Sequence, residues 1–230
     1  MAENKKHEEE VLVDVVSQIS GVEKFIQKNQ KHITTAVIGV LVLVGGYWGY
    51  TNYYLAPREK AAADAIVFAQ LAFESDSLQQ ALNGNGEQLG FLDVADEYSG
   101  TKTGNLAHYY AGMSYMNLGE FENAIRELDK FSPKDPVFTM LTYGAIGDAF
   151  HEINQPKEAL EYYEKAIAGQ DNEFLLPFLI RKAGLTAEMQ GDYKKALKHY
   201  NDIKNRYPKS REATDANKMI ARAEALAGNK

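Results

Sequence analysis

The side chains that could do chemistry are few in this sequence, and their spacing does not match the common sites. His151-Glu152 begins like a zinc-protease motif, but Gln155 stands where the second metal-binding histidine is needed. The glycines between Gly84 and Gly90 lack the Gly-Lys-Ser/Thr element of a phosphate loop. The carboxylates within 158–164 recur at the spacing of a solvated helix face. The sequence therefore predicts a protein that is not an enzyme and that uses no metal or cofactor.

The composition limits the remaining classes of function. The 230 residues are 45% hydrophobic and 25% charged, with a net charge of -7, which is ordinary for a globular protein. Nucleic-acid binding needs clustered Lys and Arg, and no such cluster occurs beyond the N-terminal segment, so we expect no nucleic-acid partner. The absence of cysteine excludes disulfides, thiolate metal sites and cysteine nucleophiles.

One segment near the N-terminus is predicted to span a membrane. The run from Ile33 to Pro57 carries no charge, and residues 33–55 as a helix would reach about 34 Å across a hydrocarbon core of about 30 Å. A buried core helix is the alternative. Aromatic rings gather at the end of the run, as in an aromatic belt: Tyr47, Trp48, Tyr50, Tyr53 and Tyr54.

The charges around this span predict its orientation. Three lysines stand just before it and two basic residues just after it, a weak bias that favours a cytoplasmic N-terminus. The 32 residues that come first are too many and too acidic for a cleaved signal peptide. We therefore expect a cytoplasmic segment at 1–32, a signal anchor at 33–55 and an external domain at 56–230.

Two further patterns adjoin the membrane. Gly45 and Gly49 form a G-x-x-x-G motif, which lets a second membrane helix approach closely; tolerance of glycine is the alternative reading. Apolar residues between 12 and 26 recur at three- and four-residue steps, which is typical of an amphipathic helix. That helix could lie on the inner membrane surface, dock on a membrane partner or simply lead into the span.

The region after the span repeats itself. In three stretches a glycine is followed by an alanine 12 residues later: Gly112 and Ala124, Gly147 and Ala159, Gly184 and Ala196. The glycines are 35 and 37 residues apart. Small residues on both members of an antiparallel helix pair allow a close crossing, so each stretch predicts two packed helices.

Single positions within this region carry further expectations. We expect Tyr163 and Tyr200, four residues after their alanines, to fill the space toward the next repeat. Pro136 should close a repeat, because proline cannot continue a helix. Residues 58–100 are predicted to form a degenerate leading helix pair, and residues 211–226 a polar helix that caps the stack.

The pattern resembles the tetratricopeptide repeat, a 34-residue helix-turn-helix unit that stacks into a solenoid, over about residues 104–210. The resemblance implies an all-α fold, here a single N-terminal transmembrane helix followed by a tetratricopeptide-repeat α-solenoid. It also implies that a partner binds the concave face built by the first helices. The inward-facing positions carried over from the family are Tyr109, Met113, Met116, Asn117, Asp148, His151, Glu152, Phe178, Arg181, Leu185, Glu188 and Met189. Packing against the next helix is the alternative role of each.

The order of elements resembles the bacterial YfgM family, through the stretch 22–29 and the span that follows it. Members of that family are single-pass inner-membrane proteins with a periplasmic tetratricopeptide-like domain, and they accompany the SecYEG translocon and the periplasmic chaperone PpiD. The resemblance implies a bacterial inner-membrane adaptor that links secretion to a chaperone of the PpiD type. A scaffold in another envelope pathway, such as outer-membrane assembly or cell division, is the second hypothesis.

Overall fold

The structure is a computed structural model that describes residues 27–228, and this part of the chain is helical with no strand. The chain divides into two units, one ending at Pro57 and one beginning at Arg58. The predicted amphipathic helix at 12–26, and most of the stretch that carries the YfgM likeness, lie outside the described residues.

The first unit contains a helix suited to a membrane. Residues 27–49 form α1, and Tyr50–Leu55 continue it as a π-helix. These residues belong to a helix, Gln27–Glu74, that is long and apolar enough to cross a membrane. None of its apolar window is buried, so a buried core helix does not describe it. Leu43 is 74% exposed, as a side chain that faces lipid would be.

The second unit is a series of packed helices. In chain order these are α2 (Ala56–Glu74), α3 (Leu78–Asn83), α4 (Phe91–Glu97), α5 (Lys102–Leu118), α6 (Phe121–Lys130), α7 (Pro136–Glu152), α8 (Pro156–Ile167), α9 (Leu175–Met189), α10 (Tyr193–Arg206) and α11 (Arg211–Gly228). From α4 onward each helix packs on the next, and α5, α7, α9 and α11 also contact one another in sequence. The first helices of successive repeats therefore share one side of a solenoid.

The predicted close crossings are present, but the aromatic residues sit elsewhere than expected. A Cβ added to Gly147 would lie 2.7 Å from Cδ1 of Tyr163, and one on Gly184 would lie 2.5 Å from Cε1 of Tyr200. Each tyrosine therefore covers the glycine of its own repeat, where we had expected it to fill the space toward the next one. Leu128 covers Gly112 in the same way.

Pro136 and Asn154, two residues in the turns between helices, play roles that the sequence pattern does not predict. Pro136 does not close a repeat but begins α7, where a missing N–H is harmless, and Asp135 caps that helix. Gly119 and Gly191 turn between helices at φ of 74° and 75°. Asn154 takes the same left-handed conformation at φ 58°, which asparagine tolerates better than most residues, and so replaces the expected glycine.

The two ends of the domain are built differently. The leading region is α2 followed by two short helices rather than a simple pair. The loop between α3 and α4 folds back so tightly that a Cβ on Gly84 would meet the Gln88 carbonyl oxygen at 2.1 Å. At the other end, α11 buries Ala216, Met219 and Ala223 against the last repeat and leaves its polar side exposed, as predicted for a cap.

Candidate partner-binding groove

The first helices of the second and third repeats enclose a groove of about 920 Å³. It brings together eight of the twelve residues expected to face a partner: Met116, Asp148, His151, Glu152, Arg181, Leu185, Glu188 and Met189. Helices α7 and α9 approach each other closely at Gly144, where a Cβ would lie 2.8 Å from Cδ2 of Leu179. The wall is mixed, with methionine and leucine beside charged groups.

One side of the groove is held by a polar link between α7 and α9. The Lys182 ammonium donates to both carboxylate oxygens of Asp148, at 2.6 and 2.7 Å. The Tyr163 hydroxyl donates to the same carboxylate at 2.6 Å. Burial, followed by the negative charge of Asp148, raises the pKa of Tyr163 far above its ordinary value, so the phenol stays protonated and remains a donor.

A second link of the same kind joins α9 to α11. Arg222 Nε lies 2.8 Å from Glu188 Oε1, and the Tyr200 hydroxyl donates to Glu188 Oε2 at 2.9 Å. Burial and then the hydrogen bond to Glu188 raise the pKa of Tyr200. Both links join residues 34 positions apart, one repeat length. The carboxylates of Asp148 and Glu188 are therefore engaged within the protein.

The other four predicted residues lie outside this groove. Tyr109 and Met113 pack against the core cluster that contains Leu128. Tyr109 is half-buried in contact with the rings of Tyr110, Phe131 and Phe138. Asn117 is exposed at the end of α5. Phe178 lines a smaller depression next to Arg181, with Arg211, Glu212 and Asp215.

Sequence reasoning missed three apolar residues that the structure exposes near the start of α7 and α9. Phe174 is 89% exposed, Val137 41% and Leu141 38%. Val137 and Leu141 precede Phe174 and Phe178 by the same 37 residues that separate Gly147 from Gly184. The sequence does contain a signal for these residues, because large apolar side chains recur at matching positions of the two repeats.

At the α5–α6 pair a carboxylate lies between a histidine and a lysine. Glu127 accepts from His108 Nδ1 at 2.8 Å and from Lys130 at 2.7 Å. Burial raises the pKa of Glu127, but these hydrogen bonds outweigh it and hold the pKa below its ordinary value. Glu127 on α6 is thus kept ionised, and its hydrogen bond to His108 links α6 to α5. No group of three metal-ligating side chains occurs among residues 27–228.

The glycines of the membrane helix are open to contact. A Cβ on Gly45 or on Gly49 would meet no heavy atom within 4 Å. Larger residues would therefore fit there without any clash inside the described chain. A substitution at these positions reports on contacts with another molecule.

The comparisons with known proteins agree with this architecture. A family model described as Tetratricopeptide repeat matches residues 106–132 and 181–210, and a second model with that description matches residues 142–168. These ranges correspond to the three helix pairs from α5 to α10. No curated protein sequence matches the chain significantly.

A solved structure shows the same arrangement of helices. The crystal structure of MamA protein matches with a TM-score of 0.54 and 19% identity, over 76% of this chain and 86% of MamA. At that identity the likeness shows the fold alone. Proteins with such repeats are generally non-catalytic scaffolds for protein–protein interaction. The chain therefore carries tetratricopeptide repeats, and its helical domain has the fold of a tetratricopeptide-repeat protein.

Proposed function

We propose that this protein is a non-enzymatic adaptor in a bacterial inner membrane, with residues 1–32 in the cytoplasm and the domain after residue 55 in the periplasm. Its membrane helix contacts the SecYEG translocon, and its groove holds a periplasmic chaperone of the PpiD type. The observation that carries the proposal is the groove on a repeat domain that follows a membrane-suited helix. The order of elements that resembles the YfgM family supplies the partners.

Two separate surfaces support the adaptor proposal. Gly45 and Gly49 leave room for a neighbouring membrane helix. The groove offers the exposed Met189 and the partly buried Met116 and Leu185 to a second partner. Of the twelve predicted contact residues, we assign the principal role to Arg181 rather than to Tyr109, because Tyr109 also packs against neighbouring aromatic rings.

The orientation is tested by protease added to intact spheroplasts. We expect the domain after residue 55 to be digested and the segment before residue 33 to be protected. Full protection of the domain would contradict a periplasmic location. Carbonate extraction of the same membranes should leave the chain in the pellet, as an integral protein.

The partners are tested by purification from native membranes under mild solubilisation. We expect both translocon subunits and a periplasmic chaperone to accompany the chain. Recovery of neither would refute the adaptor proposal. Recovery of outer-membrane assembly or cell-division proteins would favour the second candidate, a scaffold in another envelope pathway.

A further inference from the structure

The exposed side of α9 carries a continuous apolar strip interrupted by one charge. Four residues of α9 and its N-cap Phe174 follow one another at steps of four, three, four and four on this side, and we call them the α9 strip: Phe174, Phe178, Arg181, Leu185 and Met189. At 100° per residue they lie within about 80° of one another around the helix. The strip is about 22 Å long, or four helical turns.

The apolar members of the α9 strip are accessible. Phe174, Phe178 and Met189 are 89%, 41% and 67% exposed. The Lys182 ammonium lies 4.4 Å from the centre of the Phe178 ring, which holds that ring in place. Val137 and Leu141 add a second exposed apolar pair on α7, at the matching positions of the preceding repeat.

The guanidinium of Arg181, at the middle of the α9 strip, has no partner within the described chain. Neighbouring cations are occupied, Lys182 by Asp148 and Arg222 by Glu188. Arg181 makes no ion pair or hydrogen bond with any described residue. The adjacent depression contains Glu212 and Asp215, but they are accompanied by Arg211 and lie beyond ion-pair distance of Arg181.

A partner that covers this strip must compensate the guanidinium. An apolar surface laid over Arg181 would strip water from an unpaired charge, which costs several kcal/mol in real proteins. A carboxylate opposite Arg181 removes that penalty and can accept two parallel N–H bonds. The same arrangement rejects partners that place a cation there.

We propose that the α9 strip binds an amphipathic helix of about four turns that carries one acidic residue in the middle of its apolar face. The inference rests on the proposed function of the groove, which the α9 strip shares at Arg181, Leu185 and Met189, and it specifies the segment of the partner that binds there. Apolar residues of that helix contact Phe174, Phe178, Leu185 and Met189, and its central carboxylate pairs with Arg181. Recognition of an amphipathic helix through its apolar face is a common mode of binding.

The test uses designed peptides and the full chain in nanodiscs. Two fluorescent helical peptides of about 16 residues share an apolar face and differ only at its centre, one with Glu and one with Lys. Binding is measured to the wild type, to Arg181→Glu and to Lys194→Glu. The last variant makes the same charge change at an exposed residue of α10. Empty nanodiscs provide the blank, and circular dichroism checks that each variant is folded.

We expect Arg181→Glu to weaken binding of the Glu peptide at least about tenfold and to strengthen binding of the Lys peptide by a similar factor. Lys194→Glu should leave both unchanged. Equal effects of the two variants, or no reversal between peptides, would overturn the proposal.

Failure of this inference and failure of the adaptor proposal give different results. Chaperone recovery from native membranes together with no charge preference would refute the α9 strip inference alone. A charge preference without recovery of translocon or chaperone would refute the adaptor proposal alone.

Discussion

The Lys182 ammonium on α9 donates hydrogen bonds to both carboxylate oxygens of Asp148 on α7, at 2.6 and 2.7 Å, and so links two successive repeats. Asp148→Asn would leave the partly buried ammonium without its counter-charge. We expect the free energy of unfolding to fall by about 1 kcal/mol, measured by urea denaturation. Glu161→Gln is the control, because it breaks the more exposed pair with Lys165 and should cost less than about 0.5 kcal/mol. Equal losses would show that the link does not stabilise the stack.

The crossing at Gly147 leaves no room for a side chain. Gly147→Leu would push against the Tyr163 ring, which its hydroxyl bond to Asp148 holds in place. We expect a loss of about 1 to 3 kcal/mol in the free energy of unfolding. Ala221→Leu adds the same side chain to an exposed position of α11 and should be nearly neutral.

A double-mutant cycle makes the Gly147 prediction specific. On a Tyr163→Ala background, Gly147→Leu should cost less than in the wild type, because the ring that it meets is gone. The same cost on both backgrounds would show that the second repeat is packed differently from the structure described here.

The sequence predicted the repeats because their determinants are local. The glycine and alanine spacing follows from helix crossing, and the turns between helices were visible as glycine and proline. The position of Tyr163 was not predicted, since spacing alone does not say whether a ring points to its own repeat or to the next. The left-handed conformation of Asn154 is likewise visible only in the backbone.

The candidate groove was predicted only in part. Repeat register placed Asp148, Arg181 and Glu188 on the concave side, and the structure brings them together. Register could not reveal that Asp148 forms an ion pair with Lys182 and Glu188 with Arg222. Nor could it reveal that Arg181 forms none within the described chain. That distinction depends on the reach of side chains between repeats, which no pattern within one repeat contains.

Stability should fall in mild acid because of His199. Burial lowers the pKa of this imidazole below its ordinary value of 6.5, against the opposing hydrogen bond to Glu164 on α8 and the charge of Asp202 on its own helix. Below that value the unfolded chain binds a proton that the folded chain does not. The contribution of the neutral His199 to the free energy of unfolding is therefore fully present above pH 6.5. It is lost as the pH falls below that value.

The His199 prediction is checked by urea unfolding at about pH 7.5 and about pH 5.5. His199→Gln should lose less stability between these two conditions than the wild type does. His151→Gln, at an exposed histidine, should behave as the wild type. A loss in His199→Gln as large as in the wild type would contradict the assignment.

The membrane helix provides a prediction that does not involve the repeat domain. Replacing Gly45 and Gly49 by Leu should reduce co-purification of translocon subunits and leave the melting temperature of the chain unchanged, because both positions are free of internal contacts. Gly39→Leu is the control, since Gly39 is equally free but lies about 100° around the helix from the middle of the Gly45 and Gly49 face. Equal association of all variants with the translocon would exclude this face as the contact.

Site-specific photocrosslinking from Met189 in living cells tests the central claim most directly, because Met189 is 67% exposed at the edge of the groove. A photoreactive residue there should form a crosslink to a periplasmic chaperone of the PpiD type, identified by mass spectrometry. The same residue at Glu161, an exposed position on α8, should not. A crosslink of equal yield from both positions, or one from Met189 only to cytoplasmic proteins, would contradict the adaptor account.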